Sequence, residues 1–220
     1  MKQKFYVMLG DVIASRRITD REIFQRKLEE ACSNVNLDFV EDIYADFNIL
    51  KGIDEIGGVL LNITSVYKII HTLQEQFYPH SMRFALVYDY IDTAVESQEV
   101  SRMDGPAFHR ASDILKNLKG SRLIFKMSIN DEIMEKMVTG EINLIFLLKK
   151  SWSLRQRRIL YEYRKIGNQN MVAKALGISQ QAVSKALNRS MWKEISGIEG
   201  DLNYVLLQYP PRQQKKIGVK

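Results

Sequence analysis

The sequence predicts a mixed α+β fold in two parts, an α+β domain followed by an all-helical domain. The first 127 residues alternate short apolar runs with amphipathic stretches of helical period, whereas the rest shows only helical periods. The charge divides in the same way: residues 151–220 contain 13 Lys and Arg against 4 Asp and Glu, a net charge of +9, and residues 1–150 have a net charge of −3. Such an asymmetry predicts a polyanion-binding module joined to a separate domain.

The N-terminal part contains five predicted strands and three predicted helices. The apolar runs predict strands at residues 5–12, 43–50, 56–63, 82–91 and 122–127. The amphipathic stretches predict helices at residues 20–35, 65–77 and 105–118. The order βαββαβ followed by αβ predicts a ferredoxin-like sheet with its helices on one face.

The C-terminal part contains only predicted helices. We place the domain boundary near residue 130, followed by a helix over residues 131–150 that bridges the two domains or forms a dimer contact. Residues 151–209 then form a helical domain, which includes a helix at 154–166, a helix-turn-helix and a final helix at about 191–207. The last residues, 210–220, contain two prolines and many basic and polar residues, which predicts a disordered basic tail.

The segment 168–189, NQNMVAKALGISQQAVSKALNR, has the pattern of a DNA-binding helix-turn-helix. Gly177 ends the first helix at a position that requires positive φ. Ser179 is a suitable N-cap for the second helix. That second helix places its apolar side chains on one face, because they recur at spacings of three and four: Ala182, Val183, Ala186 and Leu187.

The opposite face of this second helix is polar and predicts contacts with base edges in the major groove. Its side chains are Gln180, Gln181, Ser184, Lys185, Asn188 and Arg189. We expect Arg189 also to hold phosphates, together with Lys174, Arg155, Arg157 and Arg158. The alternative is an ordinary helical hairpin whose polar face is only solvated.

Two carboxylates are candidates for a metal site in the first domain. Asp11 lies at the end of the first predicted strand, and Asp54 lies in the turn between the second and third strands, next to Glu55. In a βαββαβ sheet these two places are neighbours, so Asp11 and Asp54 are expected to converge. Two nearby carboxylates repel each other, and a divalent cation such as Mg²⁺ relieves that repulsion. The alternative for Asp11 is a structural side chain that accepts hydrogen bonds from turn amides.

The motifs together resemble the SatD-like family of bacterial proteins. The resemblance rests on MLGDVIASR (8–16), GIDEIGG (52–58), RFALVYDYI (83–91), MDGPAFHRA (103–111) and the C-terminal helix-turn-helix. It implies a bacterial cytoplasmic protein with a first domain similar to the palm of class III nucleotide cyclases. In that comparison Asp11 and Asp54 match the two metal aspartates, and Arg83 begins a strand that often starts with Arg.

One departure from that pattern concerns the second carboxylate. Related sequences usually have an uninterrupted Gly-Asp-Glu-Phe at the hairpin, whereas this chain has Ile53 between Gly52 and Asp54. A shift of one residue on a strand reverses the direction of a side chain, so the shift leaves open whether Asp54 or Glu55 faces the site. Candidates for contacts with a nucleotide base or with the transition state rest on charge alone, and they are Arg16, Arg102, Arg110 and Lys51.

Composition excludes several classes of protein. The single cysteine, Cys32, cannot form an internal disulfide, and no Cys/His cluster suggests zinc. There is no Walker sequence, which excludes a P-loop NTPase. No apolar run is long enough to span a membrane, and we expect a cytoplasmic protein.

The expected function is that of a transcriptional regulator that binds double-stranded DNA as a homodimer, with the first domain serving dimerisation or ligand sensing. The alternative is a metal-dependent nucleotidyl cyclase or transferase, or a nucleotide sensor, with Asp11 and Asp54 as the catalytic candidates and Mg²⁺ and a nucleotide as ligands. A protein-interaction scaffold is a third interpretation.

Overall fold

The structure, a computed structural model, describes residues 3–52 and 54–209, with Lys51 in backbone only. The chain divides into two compact units, Met1–Ile142 with Asn203–Lys220, and Asn143–Leu202. We call them the first and the second unit. The division falls inside two helices, α4 (Glu132–Lys149) and α8 (Trp192–Gln208). The predicted mixed α+β fold is confirmed, and the helix predicted at 131–150 is α4.

The first unit is built on a five-stranded sheet. Its strand order is β2-β3-β1-β4-β5. The central strand β1 pairs antiparallel with both β3 and β4, and β5 pairs parallel with β4. The bounds of the strands are β1 Lys4–Val12, β2 Ile43–Lys51, β3 Glu55–Leu60, β4 Met82–Tyr90 and β5 Phe125–Ser128.

Three helices cover the sheet, and they lie on both of its faces. They are α1 (Arg21–Asp38), α2 (Val66–Phe77) and α3 (Pro106–Leu118). The side chains of Phe5, Val7 and Leu9 pack with the apolar side of α3. The alternate residues of β1, Tyr6 and Met8, are buried on the opposite face, which α1 and α2 cover.

The prediction that the helices share one face of the sheet is therefore wrong. It is right for α1 and α2 but not for α3. The physical reason is visible in β1, whose residues from Phe5 to Leu9 are all apolar and all buried. A strand that is apolar on both sides needs a cover on both faces. The segment after β4 passes to the second face, where Val100 and Met103 join the core before α3 begins.

The helix α3 connects two parallel strands, and this connection positions part of the candidate site. Because β4 and β5 are parallel, with Phe84 opposite Phe125, the chain must return to the start of β4 before β5 can form. The C-terminal end of α3, with Lys119 as its C-cap, therefore lies close to Arg83 at the beginning of β4.

The second unit contains three further helices with well-defined ends. They are α5 (Leu154–Ile166), α6 (Gln169–Leu176) and α7 (Gln180–Arg189). Ser153 and Gln156 form a capping box at the start of α5, and the Ser179 hydroxyl accepts a hydrogen bond from the Ala182 amide at the start of α7. Gly177 ends α6 with a φ of 65°, as its place in the sequence predicts.

A charged cluster lies inside the second unit. Lys149 at the end of α4 is 1% exposed, and its Nζ forms an ion pair with the Glu199 carboxylate on α8. Arg164 of α5 donates to the other oxygen of Glu199 at 2.8 Å. Two cations therefore share one buried carboxylate and connect three helices. Such a cluster is sensitive to the loss of one member, because the remaining charge stays buried.

The single cysteine lies in the core of the first unit. Cys32 on α1 is 4% exposed. Burial, with the nearby charge of Glu29, raises the pKa of its thiol to about 12. A thiol that stays protonated at neutral pH is a poor nucleophile, so Cys32 is a packing residue.

Two predictions concern the chain ends and membranes. Among the described residues, no helix has the length and apolar character that a membrane span requires. The predicted disordered tail, residues 210–220, lies outside the described part of the chain.

Candidate functional site

The end of β1 and the turn before β3 lie side by side, as the strand order predicts. Asp11 is the cross-strand neighbour of Glu55. The amide of Val12 donates to the carbonyl of Asp54 at 2.9 Å. On its other side, Asp11 is the cross-strand neighbour of Arg83. The three strands therefore bring two carboxylates and a guanidinium to one edge of the sheet.

A cavity of about 420 Å³ opens at this edge of the first unit. We call it the edge cavity. Its charged lining consists of two carboxylates and four cations, namely Asp11, Asp54, Arg16, Arg17, Arg83 and Lys119. The cations outnumber the carboxylates two to one, so the charge of the described lining is positive.

Asp11 is already paired with two cations. One of its oxygens lies 3.2 Å from Nη1 of Arg83, and the other lies 3.2 Å from Nζ of Lys119. Its side chain is 9% exposed. The two partners arrive from different elements, the start of β4 and the end of α3. The negative charge of Asp11 is therefore balanced within the protein.

Asp54 has a different role in the edge cavity. Its carboxylate accepts a 2.6 Å hydrogen bond from the Ser15 hydroxyl. Ser15 follows Ala14, which has a positive φ of 59°, and begins the 3₁₀ turn Ser15–Arg17. The bond connects the loop after β1 to the turn before β3, and it holds the segment that carries Arg16 and Arg17.

The predicted metal residues are brought together only in part. Asp11 and Asp54 line the same cavity, whereas Glu55 is placed by its backbone pairing opposite Asp11. The pairing of β2 with β3 is irregular between Ile49 and Lys51, next to the turn. Ile53 lies outside the described residues. Within the described part of the chain, no group of three or more His, Cys, Asp or Glu side chains could hold a metal ion.

The four cations predicted from charge alone do not lie together in the structure. Arg16 lines the edge cavity, but Arg102 pairs with Glu99 on the surface. The side chain of Lys51 is outside the described part. Lys119 and Arg17 were missed, because nothing local in the sequence distinguishes them from other surface cations. Only the return of α3 to the start of β4 could have identified Lys119.

Arg110 belongs to a separate ion pair on the first unit. It donates to Asp89 at 2.7 Å and to the Ser128 hydroxyl at 2.7 Å. Burial raises the pKa of the Asp89 carboxyl, but hydrogen bonds from Arg110 and from the Tyr90 amide, together with the positive charges of Arg110 and Lys4, outweigh burial, so this pKa lies below its usual value. Arg110 therefore has a structural partner.

The second candidate site is the polar side of α7 in the second unit. Val183, Ala186 and Leu187 are buried, so one side of α7 belongs to the core. The predicted base-contacting residues are exposed except for Ser184, which is half-buried. The side-chain amide of Gln180 donates to Gln169 on α6 at 2.5 Å. The described part of the second unit thus leaves the polar side of α7 open to solvent.

A shallow depression of about 310 Å³ adjoins this side of α7. Its described lining combines the start of α5 with α7 and includes three cations: Arg155, Lys185 and Arg189. Lys174 and Arg158 are also exposed. Arg157 differs, because it is half-buried and donates from Nη2 to the Lys149 carbonyl at 2.7 Å. Of the four phosphate contacts predicted outside α7, three are therefore exposed and Arg157 is held by the protein.

The solved structures that match this chain include two of a bacterial light-regulated adenylyl cyclase. They share 11% and 12% identity with this chain, each at a TM-score of 0.41. Each match covers 58% of this chain, and the chain spans 44% of the length of the matched structures. No curated protein sequence matches the chain.

The comparison with protein families gave a match of much wider extent. The model of the SatD family matches residues 5–195. The matched range begins in β1, includes both carboxylates of the edge cavity and all of α7, and ends in α8. Since this range covers most of the chain, the protein belongs to the SatD family.

Proposed function

We propose that this protein binds double-stranded DNA and regulates transcription, and that α6, the turn at Gly177 and α7 act as a helix-turn-helix. The observation that supports this most strongly is the division of α7 into two sides. One side is buried in the core, and the other exposes amides and cations. A recognition helix needs both, because it must be held by its domain and still reach base edges.

The exposed side chains of α7 have the chemistry for both kinds of contact with DNA. The amides of Gln181 and Asn188 can form paired hydrogen bonds with adenine in the major groove. Lys185 and Arg189 can bind guanine or phosphate. These side chains extend from the first turn of α7 to its last, so the exposed side of the helix would lie along the major groove.

The phosphate contacts are proposed to come from two helices. Arg155 at the start of α5 shares a depression with Lys185 and Arg189 of α7. Lys174 and Arg158 are exposed and extend the positive surface. The net charge of +9 over residues 151–220 favours binding to any duplex through counterion release. We leave Arg157 out of the interface, because its guanidinium is bound to the Lys149 carbonyl.

The direct test is the affinity for a fluorescent duplex of mixed sequence, measured by anisotropy at low salt. The double variant Lys185→Ala/Arg189→Ala should bind at least about tenfold more weakly, and the slope of log affinity against log salt should fall by about 1 for each phosphate that the variant no longer binds. The matched control is Lys193→Ala, which removes an exposed charge of the same unit on α8. Equal affinities of the double variant and the wild type would overturn the proposal.

Sequence recognition requires a second experiment. Selection from a random duplex library should yield a preferred site for the wild type. Gln181→Ala and Asn188→Ala should each relax the preference at particular base pairs, at a cost of about 1–3 kcal/mol per bidentate contact. If both variants select the same site as the wild type with equal stringency, α7 does not read bases.

A homodimer is part of the proposal. One helix-turn-helix contacts too little DNA for tight specific binding, and two copies would bind half-sites one helical turn apart. The helix α4 offers a surface for this, because it exposes apolar side chains at spacings of four, seven and three: Ile133, Met137, Leu144 and Leu147. A stripe with this period is typical of paired helices.

The oligomeric state can be measured by light scattering after size exclusion. We expect a dimer for the wild type and a monomer for Leu144→Ser, with Lys116→Ser, at an exposed cation on α3, as the control outside α4. A monomer in the wild type, or a dimer that Leu144→Ser leaves intact, would remove α4 from the dimer interface.

A further inference from the structure

The edge cavity of the first unit contains more positive charge than its own carboxylates balance. Asp11 is held between Arg83 and Lys119, each at 3.2 Å. Arg16 and Arg17 line the same cavity and are exposed, and neither forms an ion pair with a described residue. Arg83 also has an unused donor, because its Nε is buried and has no hydrogen-bond partner among the described residues.

This arrangement does not fit a divalent cation. A magnesium ion needs carboxylate oxygens that are free to coordinate it. Here each oxygen of Asp11 lies next to a cation, and Asp54 holds the Ser15 hydroxyl. A metal would have to displace Arg83 and Lys119 and then remain beside four positive side chains. The charges of the described residues oppose this.

We infer that the edge cavity binds a phosphate-bearing anion directly through its arginines and lysine, without a bridging metal ion. Arginine matches two phosphate oxygens with two parallel N–H donors, and such charge-assisted hydrogen bonds are strong ones. Arg16 and Arg17 supply the uncommitted guanidinium groups. Asp11 sets the positions of Arg83 and Lys119, and the bond between Ser15 and Asp54 sets the position of the loop.

Size and lining define the class of ligand. A volume of about 420 Å³ is within the usual range for small-molecule sites and accommodates a diphosphate group. The described lining includes no aromatic side chain on which a base could stack. The ligand is therefore recognised by its phosphates, and free pyrophosphate and nucleoside polyphosphates should bind with similar affinity.

The test is calorimetric titration of the full-length protein with pyrophosphate in the presence of EDTA. Binding should be measurable without a metal. Lys119→Met and the double variant Arg16→Met/Arg17→Met should each weaken it about tenfold or more. Their matched control is Lys116→Met, since Lys116 is an exposed cation of α3 that pairs with Asp113 away from the cavity. All four substituted side chains in these three variants are exposed, so the fold should persist, which circular dichroism can check.

The variant Asp11→Asn separates direct binding from metal-mediated binding. Asp11→Asn removes both a negative charge from the cavity and the group that positions Arg83 and Lys119, so pyrophosphate binding in EDTA should persist, whereas binding through a carboxylate-bound metal would be lost. The double variant Arg16→Met/Arg17→Met gives an independent answer should Asp11→Asn fail to fold. Parallel titrations with ATP and GTP test whether a nucleoside adds affinity to that of the phosphates.

Three results would overturn the inference. The first is no binding of pyrophosphate at millimolar concentration. The second is binding that requires Mg²⁺ or Mn²⁺ and disappears in folded Asp11→Asn. The third is equal affinity in the wild type and in the Lys119 and double arginine variants. ATP or GTP binding more than tenfold tighter than pyrophosphate would contradict recognition by phosphates alone.

Discussion

Both units of this protein contain a cluster of positive side chains, but one cluster lines a cavity and the other lies on the exposed side of a helix. In the first unit, the cations surround two carboxylates in a concave cavity, where Asp11 holds Arg83 and Lys119. In the second unit, Lys185 and Arg189 lie on the exposed side of a helix, and the described lining of the adjoining depression contains no carboxylate.

The difference shows how similar residues suit different ligands. A cation fixed by a carboxylate is pre-oriented and can bind a small ligand in one geometry. A cation on an open helix stays mobile and attracts a polyanion wherever phosphates come within reach. The same kind of charge therefore favours a small phosphate compound in the first unit and a nucleic acid in the second.

The largest expected effect is a loss of stability in the second unit alone. Glu199→Gln removes the carboxylate that Lys149 and Arg164 share and leaves a lysine that is 1% exposed without it. We expect a loss of about 3–5 kcal/mol in the unfolding free energy of the second unit. Urea denaturation should show this loss, together with loss of DNA binding and retention of pyrophosphate binding.

The control for this variant is Glu194→Gln, on the same helix but exposed. It should change stability by less than about 0.5 kcal/mol. Equal stability of Glu199→Gln and Glu194→Gln would mean that the buried cluster does not support the second unit.

The next largest effect is the difference between the two surfaces in how strongly their binding depends on ionic strength. Raising salt from about 50 to 200 mM should weaken DNA binding about 100-fold if four phosphates are contacted, because each contact releases counterions. Pyrophosphate binding at the edge cavity involves fewer charges and should weaken less than about tenfold. Anisotropy and calorimetry over the same salt series measure both. Parallel salt slopes would show that the two surfaces bind anions in the same way.

A smaller effect tests the turn that positions α7. Gly177 has a φ of 65°, and a Cβ built there meets nothing within 4 Å, so Gly177→Ala costs only backbone strain. We expect about 1–2 kcal/mol of destabilisation. The matched control is Gly197→Ala within α8, where the space is equally open. It should stabilise the protein by about 0.5–1 kcal/mol, and thermal unfolding reports both signs.

The smallest effect concerns an ion pair outside the edge cavity. The pKa of Asp89 is lowered in the folded state, so its contribution to stability is full above the ordinary value of 3.8 and is lost as the pH falls through the lower folded value. Asp89→Asn should flatten the acid end of a stability–pH curve. An acid end that is as steep in Asp89→Asn as in the wild type would contradict this contribution.

Local features of the fold were predictable from sequence. The predicted helix 154–166 agrees with the bounds of α5, and Gly177 and Ser179 end and begin helices as expected. These features depend on neighbours within a few residues. The convergence of Asp11 with the turn at Asp54 was also predictable, because it follows from strand order.

Features that depend on distant pairing were not predictable in this way. The cations beside Asp11 come from 72 residues along the chain, at Arg83, and from the far end of α3. From the sequence alone the site consequently looks like two carboxylates without partner cations, and this pattern predicts a metal site. Lys149 and Glu199 likewise have no signal in sequence, since each looks like a surface residue.

Because the thiol of Cys32 is buried, the native chain is suitable for labelling at an introduced cysteine without removal of its own. With a single cysteine that is 4% exposed, maleimide dyes and spin labels should attach almost entirely to a cysteine introduced on purpose. One such residue beside the edge cavity and another on α7 would let fluorescence follow whether filling one surface is communicated to the other.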